Sequence, residues 1–300
     1  MTSASARSPR YDVTYQGQPG AFSEDAAFDF VGRNARLLPS RTLQDAFRSV
    51  AGGESAYAIV PVENTLAGPI DETYDLMAES DLVIVDETVQ PILHCLIAAK
   101  GSRKEDVVRV LSHPIALAQC AGFLRSHPEW TPVPAFDTAG AVEDVLREDR
   151  PGDAAIGSAR SAEVYLGQIL LEGIQDHPEN YTRFVLLSAD PTLGTPRAAD
   201  GTRKTSITFR VTDSTRREAG VLRPFVECGV PLANVLSRPL GGPGSESVYH
   251  LDFIGSTGSA AVQRALDQIR RSATRMKILG TYPLRVASIR EVIRPARPPV

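Results

Sequence analysis

The chain has 300 residues, 42% of them hydrophobic and 23% charged, with 32 Lys and Arg against 36 Asp and Glu for a formal charge of −4. That is the composition of a globular chain with apolar material for two or three compact units. The charge disfavours a general nucleic-acid binder, which needs a basic surface to displace counterions from phosphate, but leaves room for a small anion held by a few positioned donors.

Met1 to Arg10 is polar with no apolar signal core behind it, and reads as a disordered tail, 1–10, on a cytoplasmic protein. Val13–Tyr15 is a short strand ending in Gly17 and Gly20, and a helix follows with Ser23 as its N-cap and Glu24 and Asp25 in its first turn. Tyr57–Val62 is a buried strand running into the polar turn Glu63-Asn64-Thr65, and Leu82–Val85, Leu93–Ala98 and Val107–Leu111 are further strand-length apolar runs. After His113-Pro114, Leu117, Cys120, Ala121 and Leu124 lie at helical spacing, and Asp137 caps a helix carrying Val142, Val145 and Leu146. Arg183–Leu187 is a last buried strand of this α/β stretch, 11–189. Residues 190–204 read as a linker. Beyond it, strand, helix, strand, strand, helix, strand follow in the βαββαβ order of the ferredoxin-like plan over 205–285, leaving a tail at 286–300. The three widely spaced cysteines, Cys95, Cys120 and Cys228, match neither a disulfide framework nor a zinc site and are expected as reduced thiols. No run approaches the roughly 18 apolar residues of a membrane span.

Three segments carry polar groups at strand ends. In Tyr15-Gln16-Gly17-Gln18-Pro19-Gly20-Ala21-Phe22-Ser23-Glu24 a strand passes through a glycine turn into a helix start. It is either a connecting turn or an anion site built from free N–H groups near Ala21 and Phe22 with Ser23. It is not a Walker loop and lacks GxGxxG spacing. In Pro61-Val62-Glu63-Asn64-Thr65-Leu66-Ala67-Gly68, Asn64 and Thr65 offer neutral donors and acceptors, and Gly68 permits close backbone approach. Sheets of this kind place ligands beyond such strand ends, though Glu63-Asn64 equally suits a cap for the next helix. In Asn180-Tyr181-Thr182-Arg183-Phe184, Arg183 suits a bidentate carboxylate contact and Thr182 a hydrogen bond to a leaving oxygen, against a plain strand start. The histidines, His94, His113, His127, His177 and His250, have no triad-like companion and are expected to be structural. No GxSxG nucleophile motif is present.

Taken in order, Gly-x-x-Gly-Ala-Phe-Ser-Glu, Val-Pro-Val-Glu-Asn-Thr, Ser-His-Pro-Ile-Ala-Leu-Ala-Gln-Cys and Asn-Tyr-Thr-Arg-Phe make the first 190 residues or so resemble the prephenate dehydratase family. The tail resembles the ACT regulatory domain through Gly220-Val221-Leu222 and Leu236-Ser237-Arg238-Pro239. The resemblance implies an α/β catalytic domain of two lobes, like a periplasmic binding protein, followed by a ferredoxin-like ACT domain. The lobes would run from Tyr11 to about Gln90 with a return near Asn180, and from about Pro91 to Gly173. It implies decarboxylative dehydration of prephenate without a cofactor or metal. Thr182 would assist the leaving hydroxyl, and Ala21, Phe22, Ser23, Asn64, Thr65, Gly68, Arg183 and Phe184 would bind substrate.

L-phenylalanine is the implied effector, held near Gly220, Val221, Leu222, Asn234, Ser237 and Arg238 in a homo-oligomer, a dimer of dimers built through ACT pairing that covers an open sheet face. Arogenate dehydratase and a non-catalytic amino-acid or keto-acid sensor are the alternative readings. Two departures stand out: Thr65 takes the usual serine place and keeps its hydroxyl, and Leu236 replaces the usual acid of the regulatory motif.

Overall fold

In the computed structural model, the described residues are 9–199, 201–212, 218–240, 246–286 and 289. The expected tails, 1–10 and 286–300, lie outside them apart from Pro9, Arg10, Val286 and Ile289. The chain begins with β1 (Tyr11–Gln16), α1 (Phe22–Val31), β2 (Leu37–Ser40), α2 (Leu43–Ala51), β3 (Ser55–Asn64), β4 (Gly68–Pro69), α3 (Asp71–Glu79) and β5 (Val83–Pro91). There follow β6 (Cys95–Ala98), a 3₁₀ turn at Lys104–Asp106, β7 (Arg109–Ser112), α4 (Pro114–Gln119), α5 (Ala121–Arg125) and β8 (Thr131–Pro134). Then come α6 (Thr138–Glu148), β9 (Asp153–Gly157), α7 (Ala159–Tyr165), β10 (Gln168–Glu172) and β11 (Tyr181–Ser188). The last elements are β12 (Arg203–Thr212), α8 (Glu218–Glu227), β13 (Leu232–Pro239), β14 (Glu246–Ile254), α9 (Ala260–Ser272) and β15 (Arg275–Pro283).

Two compact units result: one holds the chain up to Ile70 with Val89–Phe184, the other Asp71–Thr88 with the chain from Val185 onward. The first unit has two lobes, one holding β2-β1-β3 and the start of β11, with β4 on β3, and the other built on a sheet of order β10-β6-β9-β7-β8. In β3, Tyr57, Ala58, Ile59, Val60 and Val62 are all buried. The run is unbroken rather than alternating because β3 lies inside the sheet, with parallel β1 at one side, where both faces are covered. Asp137 caps α6 and Pro114 opens α4, as the sequence predicts. The single helix expected after Pro114 breaks at Cys120 (φ −112°, ψ 19°) into α4 and α5. Leu117, Cys120 and Leu124 nevertheless pack into one core with Trp130, so the pattern reported the buried face and missed the break.

In the second unit the antiparallel order β13-β14-β12-β15, with a helix after the first and third of these strands in sequence, is the ferredoxin-like arrangement. Phe209, Val211, Leu251 and Phe253 pack on one face against Val221 and Phe225 of α8 and Leu266 and Ile269 of α9. The linker expected over 190–204 overlaps β12 at Arg203 and Lys204.

The expectation of an open second sheet face is corrected, because residues 71–88 of the same unit pack there. Lys277 Nζ donates to the Met77 carbonyl at 2.8 Å and to the Ser80 carbonyl. Gly280 sits so close to Ile84 that a Cβ would meet its carbonyl oxygen at 2.2 Å. Lys204 Nζ pairs with Glu87 at 2.8 Å with both side chains buried, and the Arg285 guanidinium grips both Asp86 oxygens at 2.9 Å. Among the described residues no helix is long and apolar enough to cross a membrane.

Candidate active site

The glycine turn after β1 is held by an acid that sequence reasoning treated only as a helix-end charge. Glu24 accepts from Tyr15 Oη at 3.1 Å, from Gly20 N at 2.9 Å and from Arg160 Nε at 3.2 Å. Gly20 (φ 88°) is required there: a Cβ would meet Ser161 Cα at 2.6 Å, where Ser158 Oγ donates to the Gly20 carbonyl at 2.6 Å. The turn delivers the chain into α1 with extended Ala21 as N-cap and no side-chain cap, which corrects the assignment of that role to Ser23. Ser23 is instead buried in the first turn and lines a pocket. The N–H groups of Phe22 and Ser23 have no intrahelical acceptor.

That pocket has a volume of about 210 Å³. Its walls are Phe22 and Ser23 of α1, Pro61 and Asn64 of β3, Ala67 and Ile70, and Thr182 and Phe184 of β11. The other lobe contributes Ile92, His94, His113, Ile115, Ala116, Gln119 and Thr138. Among the described residues lining it there is no Asp, Glu, Lys or Arg. Positive potential comes instead from the first turns of α1 and α6, represented in the lining by Phe22, Ser23 and Thr138. A larger pocket, about 400 Å³, is bordered by Asp25, Phe28, Arg33 and Arg160. It shares only Phe22 with the first among the candidate residues, so size does not locate the chemistry. Burial pushes the Asp25 carboxyl there up to about 6.

Asn64 organises the polar wall. Its Oδ1 accepts from the backbone N–H groups of Leu66 (3.0 Å) and Ala67 (2.8 Å), so its Nδ2 faces the other way. Nδ2 donates to Asn180 Oδ1 (2.8 Å), the Tyr181 carbonyl (3.0 Å) and Thr182 Oγ1 (3.0 Å). Asn180 Nδ2 donates to Gln119 Oε1 at 3.0 Å, and His94 Nε2 lies 2.8 Å from the same oxygen. Thr182, 8% exposed, thus receives a hydrogen at Oγ1 and keeps its own for the pocket. Burial lowers the pKa of both His94 and His113, so both are neutral near pH 7. These two histidines line the pocket, contrary to the purely structural expectation, although His113 Nδ1 also accepts from Ile115 N at 3.2 Å.

Of the residues expected in the sequence to bind or act on substrate, Phe22, Ser23, Asn64, Thr182 and Phe184 meet at the pocket, and Ala21, Thr65, Gly68 and Arg183 are not in its lining. Thr65 is a brace: its hydroxyl donates to the Glu179 carbonyl (2.8 Å) and accepts from Tyr181 N (2.9 Å). Gly68 (φ 82°) pairs with Asn64 across the β3–β4 hairpin. Ala21 is the cap of α1. Arg183, 3% exposed, is absent from the lining because strand alternation sends it away from the face shared by Thr182 and Phe184. A bidentate contact from Arg183 would therefore have to come from outside the residues that line this pocket. Burial pushes the thiols of Cys95 and Cys120 up to about 11 and about 12, which leaves them protonated. Among the described residues no three His, Cys, Asp or Glu converge as metal ligands.

The effector residues fall on two elements of the second unit. Gly220, Val221 and Leu222 lie near the start of α8, with the Val221 side chain in the core. Asn234, Ser237 and Arg238 lie on edge strand β13, where adjacent Ser237 and Arg238 face opposite ways. Arg238 is occupied with α3, pairing with Asp71 (3.5 Å) and Asp75.

Fold and site together define a two-lobed α/β unit with a pocket lined by neutral residues, in a chain that also holds a ferredoxin-like sheet. Residues 13–192 match the prephenate dehydratase family model, and the chain belongs to that family. It is 37% identical to arogenate dehydratase 5, chloroplastic, of Arabidopsis thaliana over 289 residues, covering 91% of this chain and 67% of that one. It is 35% identical to the bifunctional chorismate mutase/prephenate dehydratase of Aquifex aeolicus, covering 90% and 73%. Among solved structures it is similar to the prephenate dehydratase of Arthrobacter aurescens in complex with L-Phe (29% identity, TM-score 0.78, 91% and 89% covered). It is likewise similar to GqqA, described as a novel type of quorum quenching acylase (32%, TM-score 0.78, 90% and 97% covered).

Proposed function

We propose that the chain converts prephenate to phenylpyruvate, carbon dioxide and water. The observation that carries this reading is the Thr182 hydroxyl, pinned by Asn64 as an acceptor so that its hydrogen is free for a leaving oxygen. Loss of carbon dioxide sends an electron pair into the ring as the C4 hydroxyl departs, and that oxygen needs one proton to leave as water. A threonine hydroxyl is too weak an acid to give up a proton unaided, so Thr182 acts as an aimed donor and relays the proton from water. The substrate's two carboxylates are met by helix first-turn N–H groups and Ser23 rather than by cations, a preorganised arrangement in a largely apolar pocket.

Prephenate is favoured over arogenate because no lining Asp or Glu is there to pair an ammonium group. The assay mixes purified protein with each substrate and follows the phenylpyruvate enolate in alkali, or phenylalanine for arogenate. Higher kcat/KM for prephenate is expected, and equal or higher kcat/KM for arogenate would reverse the assignment.

The proposal extends to a catalytic domain over 11–189, a linker, and an ACT domain over 205–285, acting in the cytoplasm. L-phenylalanine would bind between the start of α8 and β13 and lower activity by favouring one state of the enzyme. As the end strand of its sheet among the described residues, β13 suits pairing with a second copy, giving a dimer and a dimer of dimers. Support comes from the L-Phe complex of the Arthrobacter aurescens relative. Calorimetry with phenylalanine and sedimentation test these two statements. A monomer would refute the second, and no heat or activity change at millimolar phenylalanine the first.

A further inference from the structure

The amide chain around the pocket determines more than the position of Thr182. Two backbone N–H groups fix Asn64 Oδ1 as an acceptor, which fixes its Nδ2 as the donor to Asn180 Oδ1. Asn180 must then present Nδ2 to Gln119 Oε1, so the atom facing His94 Nε2 at 2.8 Å is an oxygen. An oxygen there requires a hydrogen on Nε2. The neutral ring therefore carries its one hydrogen on Nε2, and Nδ1 is a bare lone pair. His94 is 2% exposed and lines the pocket, yet Nδ1 has no hydrogen-bond partner among the described residues. Phe22 packs on the ring at 79° with centroids 5.6 Å apart, which holds its orientation. An acceptor buried without a partner is unfavourable, and a bound donor removes that penalty.

We propose that His94 Nδ1 contacts the substrate by accepting the hydrogen of its C4 hydroxyl, which makes His94 a specificity-determining residue for a substrate bearing that hydroxyl. The inference rests on the reading under Proposed function. Carboxylates and a keto group are acceptors only, so the ring hydroxyl is the one group on prephenate able to satisfy a bare nitrogen. With its hydrogen given to Nδ1, its lone pairs remain available to accept from Thr182, which lines the same pocket. When the C4–O bond breaks, the oxygen takes the bonding pair, keeps its own hydrogen and receives a second through Thr182, leaving as water. His94 ends as it began, neutral and protonated on Nε2.

The first test is ¹⁵N spectroscopy of the imidazoles in the full chain, with the His94 signals assigned by their loss in His94→Gln. The free protein is expected to show His94 as the Nε2–H tautomer at pH 6 and at pH 8. In Thr182→Ala, where turnover is slow, adding prephenate is expected to shift the Nδ1 resonance in the shielded direction. Phenylpyruvate, which lacks the hydroxyl, leaves it in place. An Nδ1–H tautomer, equal shifts with both compounds, or no shift with either would overturn the proposal.

The second test compares two variants whose folding is checked by their melting temperatures. His94→Asn keeps an acceptor near the Nδ1 position, and His94→Gln keeps only the reach toward Gln119. His94→Gln is expected to lower kcat/KM on the order of tenfold, and His94→Asn by clearly less. The reverse ranking would place the function on the Gln119 side and overturn the proposal. Prephenate turnover by the wild type, measured in parallel, separates the failures. Turnover with an unmoved Nδ1 sinks the role of His94 alone, and no turnover sinks the enzymatic reading with it.

Discussion

Asn64, Asn180 and Gln119 are neutral amides joined end to end beside the pocket, whereas in the second unit Lys204 and Glu87 are buried charges, with Arg285 on buried Asp86. The two constructions answer different needs. An amide has a donor end and an acceptor end, so a row of them transmits direction and fixes where each hydrogen lies. None of them titrates, so the arrangement holds across the working pH range. A buried ion pair instead couples two segments tightly and leaves a large penalty behind if one partner goes. The Thr182 wall of the pocket sits on the directional network, and the anchoring of 71–88 to the C-terminal sheet sits on the charged one.

The largest expected effect comes from breaking the charged side. Lys204→Met leaves Glu87 buried without its cation and should lower unfolding free energy by about 3–5 kcal/mol. The double variant Lys204→Met/Glu87→Leu should recover most of that loss in urea melts. A single variant as stable as wild type would show that the pair carries nothing.

Thr182→Ala should reduce turnover by on the order of 10² or more, since losing a transition-state donor costs roughly 2.7–4 kcal/mol, with an unchanged melting temperature. Wild-type turnover in this variant would remove Thr182 from the mechanism.

A pH contrast follows from His250, whose ring lies 4.5 Å from that of Tyr74. Burial drives its pKa down to about 4, while Asp75, Asp252 and Asp71 oppose the shift and Arg238 adds to it. The folded pKa lies below the unfolded one, so the unfolded chain binds the extra proton first. The contribution is complete above about pH 6.5 and is lost as pH falls toward 4, for a total of about 3 kcal/mol. Asp25, raised by burial, acts with opposite sign but is common to both proteins compared. Urea melts at pH 7.5 and 4.5 should show a shallower acid loss in His250→Gln than in wild type, and equal slopes would contradict the assignment.

The smallest effect, about 1–3 kcal/mol of barrier, is expected for Asn64→Asp. This near-isosteric change replaces a donor to Thr182 with an acceptor and turns the Thr182 hydrogen away from the pocket. Unchanged kcat would mean that direction does not matter there.

Much of this was legible in the sequence because it is local. Strand-length apolar runs, Asp137 before its helix, Pro114 after His113 and the βαββαβ order each report on neighbours along the chain. The segment 37–51 was not assigned: β2 is a four-residue strand, LLPS, with too little pattern to be seen. The break at Cys120 was invisible because both short helices serve one core. Asn64 and Thr182 were visible as polar groups at strand ends, yet their partnership joins residues 118 positions apart. Gln119 was visible only as part of the Ser-His-Pro-Ile-Ala-Leu-Ala-Gln-Cys motif and His94 only as a histidine expected to be structural, since an amide in a helix and a histidine before a strand are ordinary until folding brings them together. Arg183 stands apart from the Thr182 wall for the opposite reason: adjacency in sequence means opposite faces in a strand.

The strand that begins in the pocket, β11, carries Thr182 and Phe184 on one face and Arg183 on the other, and its start is tied down on both sides. Thr65 N donates to the Tyr181 carbonyl at 2.9 Å, and Ile92 N donates to the Asn180 carbonyl at 2.7 Å. The motif is therefore read by parity as much as by identity. Deletion of the single residue between Asn180 and Thr182 would move Arg183 into the Thr182 position and present a guanidinium where the hydroxyl belongs. A two-residue slip would restore the face but displace the hydroxyl by roughly 7 Å.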